Sequence, residues 1–202
     1  MMGSSRPHGS SALTAETAGH KRWLHLGPVA GTVAHHGFEA AAGVGLVFQP
    51  FLGSVGSAAA WGAALPAWAV LALRRGGGRP LVDGALAFLV GASLAGAGVH
   101  FVMWPATRRP AGKWWGVPVL TEAEGLRGRQ LPAYTAVLYA WVAAALVALL
   151  AGTPARSGRY VVLGLLTGPP FRASARHHFE WLHSEAQERP SWWNRAGRHG
   201  ES

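Results

Sequence analysis

Three ionisable residues lie close together within an apolar run that covers residues 28–48. They are His35, His36 and Glu39, in the segment AHHGFEAAAG. On an α-helix, which turns by about 100° per residue, their side chains fall within a single arc of roughly 100°. An ionisable residue at the centre of a membrane-spanning helix costs about 2.5–3.5 kcal/mol. We therefore expect this arc to face the interior of a helical bundle rather than lipid.

A carboxyl group in such an arc can do acid chemistry. Burial away from water disfavours the charged form of a carboxyl group, so we expect Glu39 to be a neutral acid that can donate a proton. His35 and His36 would then hydrogen-bond to this acid and return its proton. The alternative is purely structural: Glu39 pairs with a histidine, or with Arg172 or Arg176, and holds two helices in register.

The same histidines could instead bind a metal. His36 and Glu39 are three residues apart, which is the spacing of helix-borne carboxylate–histidine metal sites. A second segment, HHFE, could complete such a site with His177, His178 and Glu180.

Two features argue against a metal or a haem. The histidine boxes of membrane desaturases and hydroxylases are absent from the sequence. The sequence also predicts that His35 and His36 lie in the inner half of the first helix, whereas His100 lies near the outer end of the third. We therefore expect no metal and no other cofactor.

The composition is typical of an integral membrane protein. Of the 202 residues, 50% are hydrophobic and only 13% are charged, about half the roughly 25% found in soluble domains. The net charge of +9 comes from short basic clusters between apolar runs, which is the pattern of membrane-flanking loops. This distribution does not favour nucleic-acid binding. The absence of cysteine excludes disulfides and thiolate chemistry.

Four apolar runs have about the 20 residues needed to cross a bilayer as a helix. A fifth run, residues 160–171, is too short to cross alone. We favour a fifth helix that continues beyond it with a kink at Pro169 and Pro170; the alternative is a short dip into the membrane followed by an interfacial helix. The predicted fold is therefore all-α, an integral membrane bundle of four or five transmembrane helices. The four long runs are residues 28–48, 54–73, 81–104 and 132–151.

The chain divides into one domain and two tails. Residues 1–22 are polar and predict a disordered cytoplasmic tail, residues 23–183 form a single transmembrane helical domain, and residues 184–202 form a polar C-terminal tail. Trp192 and Trp193 in that tail suit a membrane interface. The loops predicted on the same side of the membrane as the N-terminus carry more basic residues than those on the other side. We therefore expect a multi-pass protein of the cell membrane with a cytoplasmic N-terminus.

Two further helices could contribute side chains to a shared pocket. His100 and Trp104 are four residues apart at the end of the third helix, so they share a face. Tyr134 and Trp141 are seven apart and share a face of the fourth helix. Aromatic faces stabilise cations, so these residues are candidates to line a substrate cavity.

The loop of residues 114–132 joins these two helices and contains Glu122 and Glu124. Because the two acids stand beside aromatic residues and prolines, the loop could fold back over the pocket as a lid. The alternative is an ordinary loop at the membrane interface with solvated glutamates.

Small residues recur at a spacing of four, which lets helix backbones approach closely in lipid. This spacing predicts a closely packed bundle and is compatible with a homodimer. The residues are Gly27/Gly31, Ala87/Gly91/Ala95 and Gly164/Gly168.

Taken with the acidic first helix, the segments HFVMWP, GVPVLTEAEG and LPAYTAVLYAW resemble the small integral-membrane terpene cyclases of meroterpenoid and indole-sesquiterpenoid biosynthesis. The resemblance covers most of residues 22–185. It implies acid-initiated cyclisation of a polyprenyl or epoxy-polyprenyl substrate, with aromatic residues guiding the cation. Glu39 would be the proton donor, and Glu122 or Glu124 a second acid.

Two other functions stay open at this point. One is a metal- or haem-dependent membrane redox enzyme that uses the pairs His35/His36 and His177/His178. The other is a non-enzymatic carrier or assembly subunit, in which the polar arc serves a proton or a helix contact. The cyclase interpretation predicts an apolar isoprenoid substrate and the lipid bilayer as partners, with no nucleic acid.

Overall fold

The apolar runs form long helices in a computed structural model of the chain, which describes residues 21–74, 79–108 and 116–199. Apart from one short hairpin, the described residues are helical or in turns, so the all-α prediction is confirmed. The hairpin pairs β1 (Ala106–Arg108) with β2 (Pro118–Leu120) in antiparallel register. The helices are α1 (Leu26–Ala42), α2 (Gln49–Leu73), α3 (Pro80–Met103), α4 (Gln130–Val147, continued by a π-helical turn at Ala148–Gly152), α5 (Gly158–Leu165) and α6 (Gly168–Glu188).

Three of these helices are long and apolar enough to cross a membrane: α2, α3, and α4 with its π-helical turn. At about 1.5 Å per residue, each is longer than the roughly 30 Å of hydrocarbon in a bilayer. Their outer faces carry apolar side chains without a packing partner, such as Val55, Leu81 and Leu150, which are 84%, 86% and 82% exposed. Such faces are typical of contact with lipid.

The first apolar run is not one helix, contrary to the prediction for residues 28–48. Helix α1 ends at Ala42 because Gly43 adopts a left-handed conformation (φ 83°), a common helix terminator. The C-terminal segment holds this end in place: the Ala196 amide donates to the Gly43 carbonyl, and the Arg195 guanidinium donates to the Ala41 carbonyl. The polar arc therefore lies in the C-terminal half of α1, with Glu39 in the last turn.

The predicted kink at Pro169 and Pro170 is a break between two helices. Helix α5 ends at Leu165, and the two prolines stand in the first turn of α6, where a missing amide hydrogen costs nothing. Helix α6 then continues to Glu188.

The C-terminal segment packs against the bundle, so the prediction of a polar tail over residues 184–202 is wrong as far as residue 199. A 3-10 turn follows α6 at Trp192–His199, where the ring of Trp193 stacks on that of Trp181 at 5.8 Å between centroids. Asn194 is fully buried and Ala196 is 4% exposed. Trp192, predicted for the membrane interface, is 67% exposed.

An ion cluster ties together the opposite end of the bundle. Arg22 is buried at the start of a 3-10 turn (Arg22–His25) that leads into α1, and its Nη2 lies 2.8 Å from Asp83 Oδ1. Arg156 Nη2 lies 2.8 Å from the other oxygen of Asp83. Arg22 thus belongs to the folded domain, whereas residues 1–20 of the predicted tail lie outside the described residues.

The small residues create close helix contacts, as their spacing predicted. A methyl group added to Gly91 or Gly164 would overlap the backbone of the facing helix, so α3 and α5 touch there backbone to backbone. A methyl group on Gly31 would likewise overlap the indole of Trp141. The small residues of α1 therefore allow α4 to approach the polar arc.

Candidate functional site

The carboxyl group of Glu39 is held between three helices. Glu39 is 9% exposed, and its Oε1 accepts a hydrogen bond of 2.8 Å from the hydroxyl of Tyr134 on α4. Its Oε2 lies 3.3 Å from His35 Nε2 and 3.4 Å from His36 Nδ1. The arc therefore faces the bundle interior, as expected from its position on the helix.

His100 of α3 completes this polar cluster. Because the Tyr134 hydroxyl donates to Glu39, the neighbouring His100 Nδ1, 3.3 Å away, donates to the tyrosine oxygen. The rings of His35 and His100 are 4.8 Å apart between centroids. The prediction that these two histidines lie in different halves of the bundle is therefore wrong. Because α1 ends at Ala42, His35 belongs to its C-terminal half and lies level with His100.

Among the residues that the structure describes, the ion-pair partners of Glu39 are His35 and His36. Neither Arg172 nor Arg176 forms an ion pair with it, so within the described part of the chain the carboxyl group has no arginine or lysine as a partner. An acidic proton on Oε2 has two imidazole nitrogens within reach.

A cavity of about 410 Å³ opens beside the cluster, a size typical of small-molecule sites, which run from about 300 to 1,000 Å³. The four ionisable residues of the cluster stand at its polar end, and a fifth, His178 of α6, also lines the cavity. The four are His35, His36, Glu39 and His100. The remaining walls are largely apolar and aromatic. The aromatic residues include Phe48, Trp61, Trp68, Trp104, Trp141 and Phe171.

Three histidines of the cluster each lie against a tryptophan. His36 contacts Trp61 at 4.1 Å between ring centroids. His35 stacks on Trp141 at 4.9 Å, and His100 stacks on Trp104 at 5.5 Å. Aromatic faces fix the orientation of an imidazole and attract it more strongly when it is protonated, so these contacts suit groups that exchange a proton.

The structure brings most of the predicted substrate-binding residues together. His35, His36, His100, Trp104 and Trp141 line the cavity, and Tyr134 is bonded to Glu39 behind it. Two wall residues that the sequence analysis missed are Trp61 and Trp68, although their spacing of seven in an uncharged run was an available signal.

Glu122 and Glu124 do not reach the cavity. Glu122 is exposed, and Glu124 Oε1 lies 2.6 Å from His183 Nε2 on the outer side of the loop. The reason is the packing of the loop, in which Leu120, Ala123 and Leu126 are the residues that turn inward into the core. The first two residues of the predicted lid, 114 and 115, lie outside the described residues.

The histidines do form a set of potential metal ligands, but a different one from that predicted. His35, Glu39 and His100 each offer one ligand atom, and these atoms lie within 4.8 Å of one another. Two histidines and one carboxylate beside an open cavity are the ligand set of non-haem iron and of some catalytic zinc sites. His177 and Glu180 are exposed elsewhere, and His178 Nε2 donates to the Val44 carbonyl.

No protein-family model matches the chain, and neither a curated protein nor a solved structure matches it. The function is therefore inferred from the site itself.

The bond from Tyr134 to Glu39 yields a test of how the carboxyl group is held. We expect Tyr134→Phe to lower the free energy of unfolding by about 1.5–3 kcal/mol, because a buried carboxyl group loses a hydrogen-bond donor. The measurement is thermal or denaturant unfolding of the protein in detergent. Tyr139→Phe is the matched control, since that hydroxyl donates to the Pro118 carbonyl in an exposed position. Equal losses in the two variants would contradict a special role for the Tyr134 bond.

Proposed function

We propose that this protein is an integral-membrane cyclase that protonates an isoprenoid substrate, with Glu39 as the proton donor. The observation that carries this proposal is the position of Glu39. Its carboxyl group is buried, has no arginine or lysine in ion-pair contact among the described residues, and stands at the wall of an apolar, aromatic cavity.

In the proposed reaction, the proton leaves Glu39 for an alkene carbon or an epoxide oxygen of the substrate. A new C–H or O–H bond forms, the alkene π bond or the epoxide C–O bond breaks, and a carbocation remains. The π electrons of another alkene then close the ring, and the final cation loses a proton. Because Tyr134 donates to Oε1, the acidic proton belongs on Oε2, where His35 and His36 can restore it.

The cavity walls suit a cationic intermediate. A desolvated cation over an aromatic face is stabilised by about 2 kcal/mol or more, and four tryptophans line this space: Trp61, Trp68, Trp104 and Trp141. Their apolar surfaces also exclude water, which would otherwise add to the cation and end the reaction early.

The second candidate function is a metal-dependent membrane enzyme, favoured by the grouping of His35, Glu39 and His100. These three residues would hold the ion, and the cavity would supply the open coordination positions. Tyr134 would orient the carboxylate, as hydrogen-bonded neighbours of metal ligands generally do.

We further propose that the chain crosses the cell membrane five times and that its N-terminus is cytoplasmic. Helices α1, α2, α3 and α4 would each cross once, and α5 with α6 would form the fifth crossing. The cluster of Arg22, Asp83 and Arg156 would mark the cytoplasmic end, and the pair of Glu124 and His183 the outer end.

The cyclase proposal is tested by Glu39→Gln, which keeps the size of the side chain and removes its acidic proton. Purified protein in nanodiscs is incubated with prenyl alcohols and their terminal epoxides. Chromatography coupled to mass spectrometry then separates cyclic products from the substrate, which has the same mass. We expect Glu39→Gln to fold normally and lose about 10²- to 10⁴-fold in turnover, the usual contribution of a general acid. Glu124→Gln, the same change outside the cavity, should retain activity. An active Glu39→Gln variant would eliminate Glu39 as the acid.

Removal of metal by a chelator distinguishes the metal-dependent function from the cyclase function. We expect turnover to survive dialysis against a strong chelator, because the proposed step needs only a proton. The supporting measurement is titration with Co²⁺, whose visible absorption reports histidine ligation. If activity were lost and then restored by metal, and if His100→Gln but not His183→Gln abolished the absorption band, the metal-dependent function would replace the cyclase.

The membrane arrangement is testable because the natural chain has no cysteine, so each introduced cysteine is a unique label. We expect Arg129→Cys to react with an impermeant maleimide on intact cells. Arg74→Cys should react only in inverted vesicles. Arg74 lies between α2 and α3, at the opposite end of the bundle from Arg129, which precedes α4. Labelling of both positions from the same side would overturn the proposed crossings.

A further inference from the structure

A second apolar space lies on the outer side of α3. It is a groove of about 350 Å³ formed by the first half of α3 and by the ring of Tyr160 on α5. Its outer edge is open, since Leu81 is 86% exposed and Phe88 is 38% exposed. The residues that line it are Leu81, Gly84, Ala85, Phe88, Leu89 and Tyr160.

Two residues separate this groove from the cavity. Phe88 and Leu89 line both spaces, so the cavity lies on one side of these side chains and the groove on the other. The polar cluster with Glu39 is in the cavity, and the groove lining contains no charged residue. The cavity therefore lies next to the proposed acid, and the groove lies beyond it at the outer face of α3, which is long and apolar enough to span a membrane.

Phe88 and Leu89 form the wall between the cavity and the groove. The backbone of this wall is held by close helix contacts, whereas the phenyl ring of Phe88 is partly exposed. A methyl group on Gly164 of α5 would overlap the Phe88 carbonyl, so the two helices are in direct backbone contact at this level. The ring of Tyr160 packs against Gly84 and forms the floor of the groove. The helices cannot shift apart without losing these contacts. Of the two side chains in the wall, Leu89 packs against a buried apolar cluster, whereas Phe88 is 38% exposed and is the one with room to move.

We propose that Phe88 sets the length of the isoprenoid chain that the protein accepts, and that the distal end of a longer chain lies in the groove beyond it. This inference rests on the proposed function, which places the reacting end of the substrate at Glu39. A polyprenyl chain fits the arrangement because it is apolar throughout, narrow and flexible. The open side of the groove is on α3, one of the three helices able to cross a membrane, so such a chain would enter directly from the hydrocarbon of the bilayer.

The test is equilibrium binding of tritiated geraniol, farnesol and geranylgeraniol to the purified full chain in detergent. The measured quantity is the ratio of the affinity for geranylgeraniol to that for geraniol. We expect Phe88→Ala to raise this ratio about tenfold, because the distal part of the longer chain gains buried apolar contact. Phe88→Trp should lower it, because a larger ring closes the passage.

Phe51→Ala is the matched control, since Phe51 is 62% exposed on α2 and lines neither space. An unchanged ratio in both Phe88 variants, or an equal change in Phe51→Ala, would overturn the role of Phe88. Phe88→Trp keeps the test informative if the alanine variant folds poorly. Because binding is measured without turnover, an active Glu39→Gln variant would refute the acid and leave this result standing. Failure of all three alcohols to bind would refute the isoprenoid substrate and this inference together.

Discussion

The hydrogen bond between Tyr134 and Glu39 is the contact on which the rest of the site depends. A carboxyl group taken out of water without partners costs several kcal/mol. His35 and His36 on the same helix contact Oε2 of Glu39, so Oε1 needs a donor from another helix. Tyr134 of α4 is that donor, and it can reach Glu39 because α1 presents small residues to α4. Gly31 lies directly against Trp141, which places the indole on the ring of His35. The hydrogen bond therefore depends on the close packing of α1 and α4.

The bundle is tied by polar contacts at both ends, and the cavity lies between them. At one end, Asp83 joins Arg22 and Arg156 and so links the starts of α1, α3 and α5. At the other end, the C-terminal turn holds the last residues of α1 in place through the Gly43 carbonyl. Helix α2 covers the cavity with Trp61 and Trp68, while most of its other side chains are exposed. The polar cluster thus belongs to the well-anchored helices, and α2 supplies chiefly the apolar wall.

The features that could be predicted from the sequence are those fixed by local geometry. The helical period alone places His35 and Glu39 on one face, and it pairs His100 with Trp104. The end of α1 was missed because Gly43 stands in an apolar run, and hydropathy does not distinguish a left-handed glycine from a helical one. Glu122 was misplaced because the path of its loop depends on strand pairing between distant residues. The C-terminal segment was taken for a tail because its packing rests on a few contacts, such as Trp193 on Trp181, within a polar stretch.

Charge balance distinguishes the two chemistries that the cluster could support. A neutral glutamic acid surrounded by neutral imidazoles and a tyrosine brings no net charge into the cavity. A divalent ion on His35, Glu39 and His100 would leave a net positive charge beside largely apolar walls, and such a charge is costly where water is excluded. A metal would therefore require a substrate with an anionic or strongly polar oxygen to complete its coordination. An acidic proton requires only an alkene or an epoxide within reach of Oε2, and that requirement matches the apolar walls of this cavity.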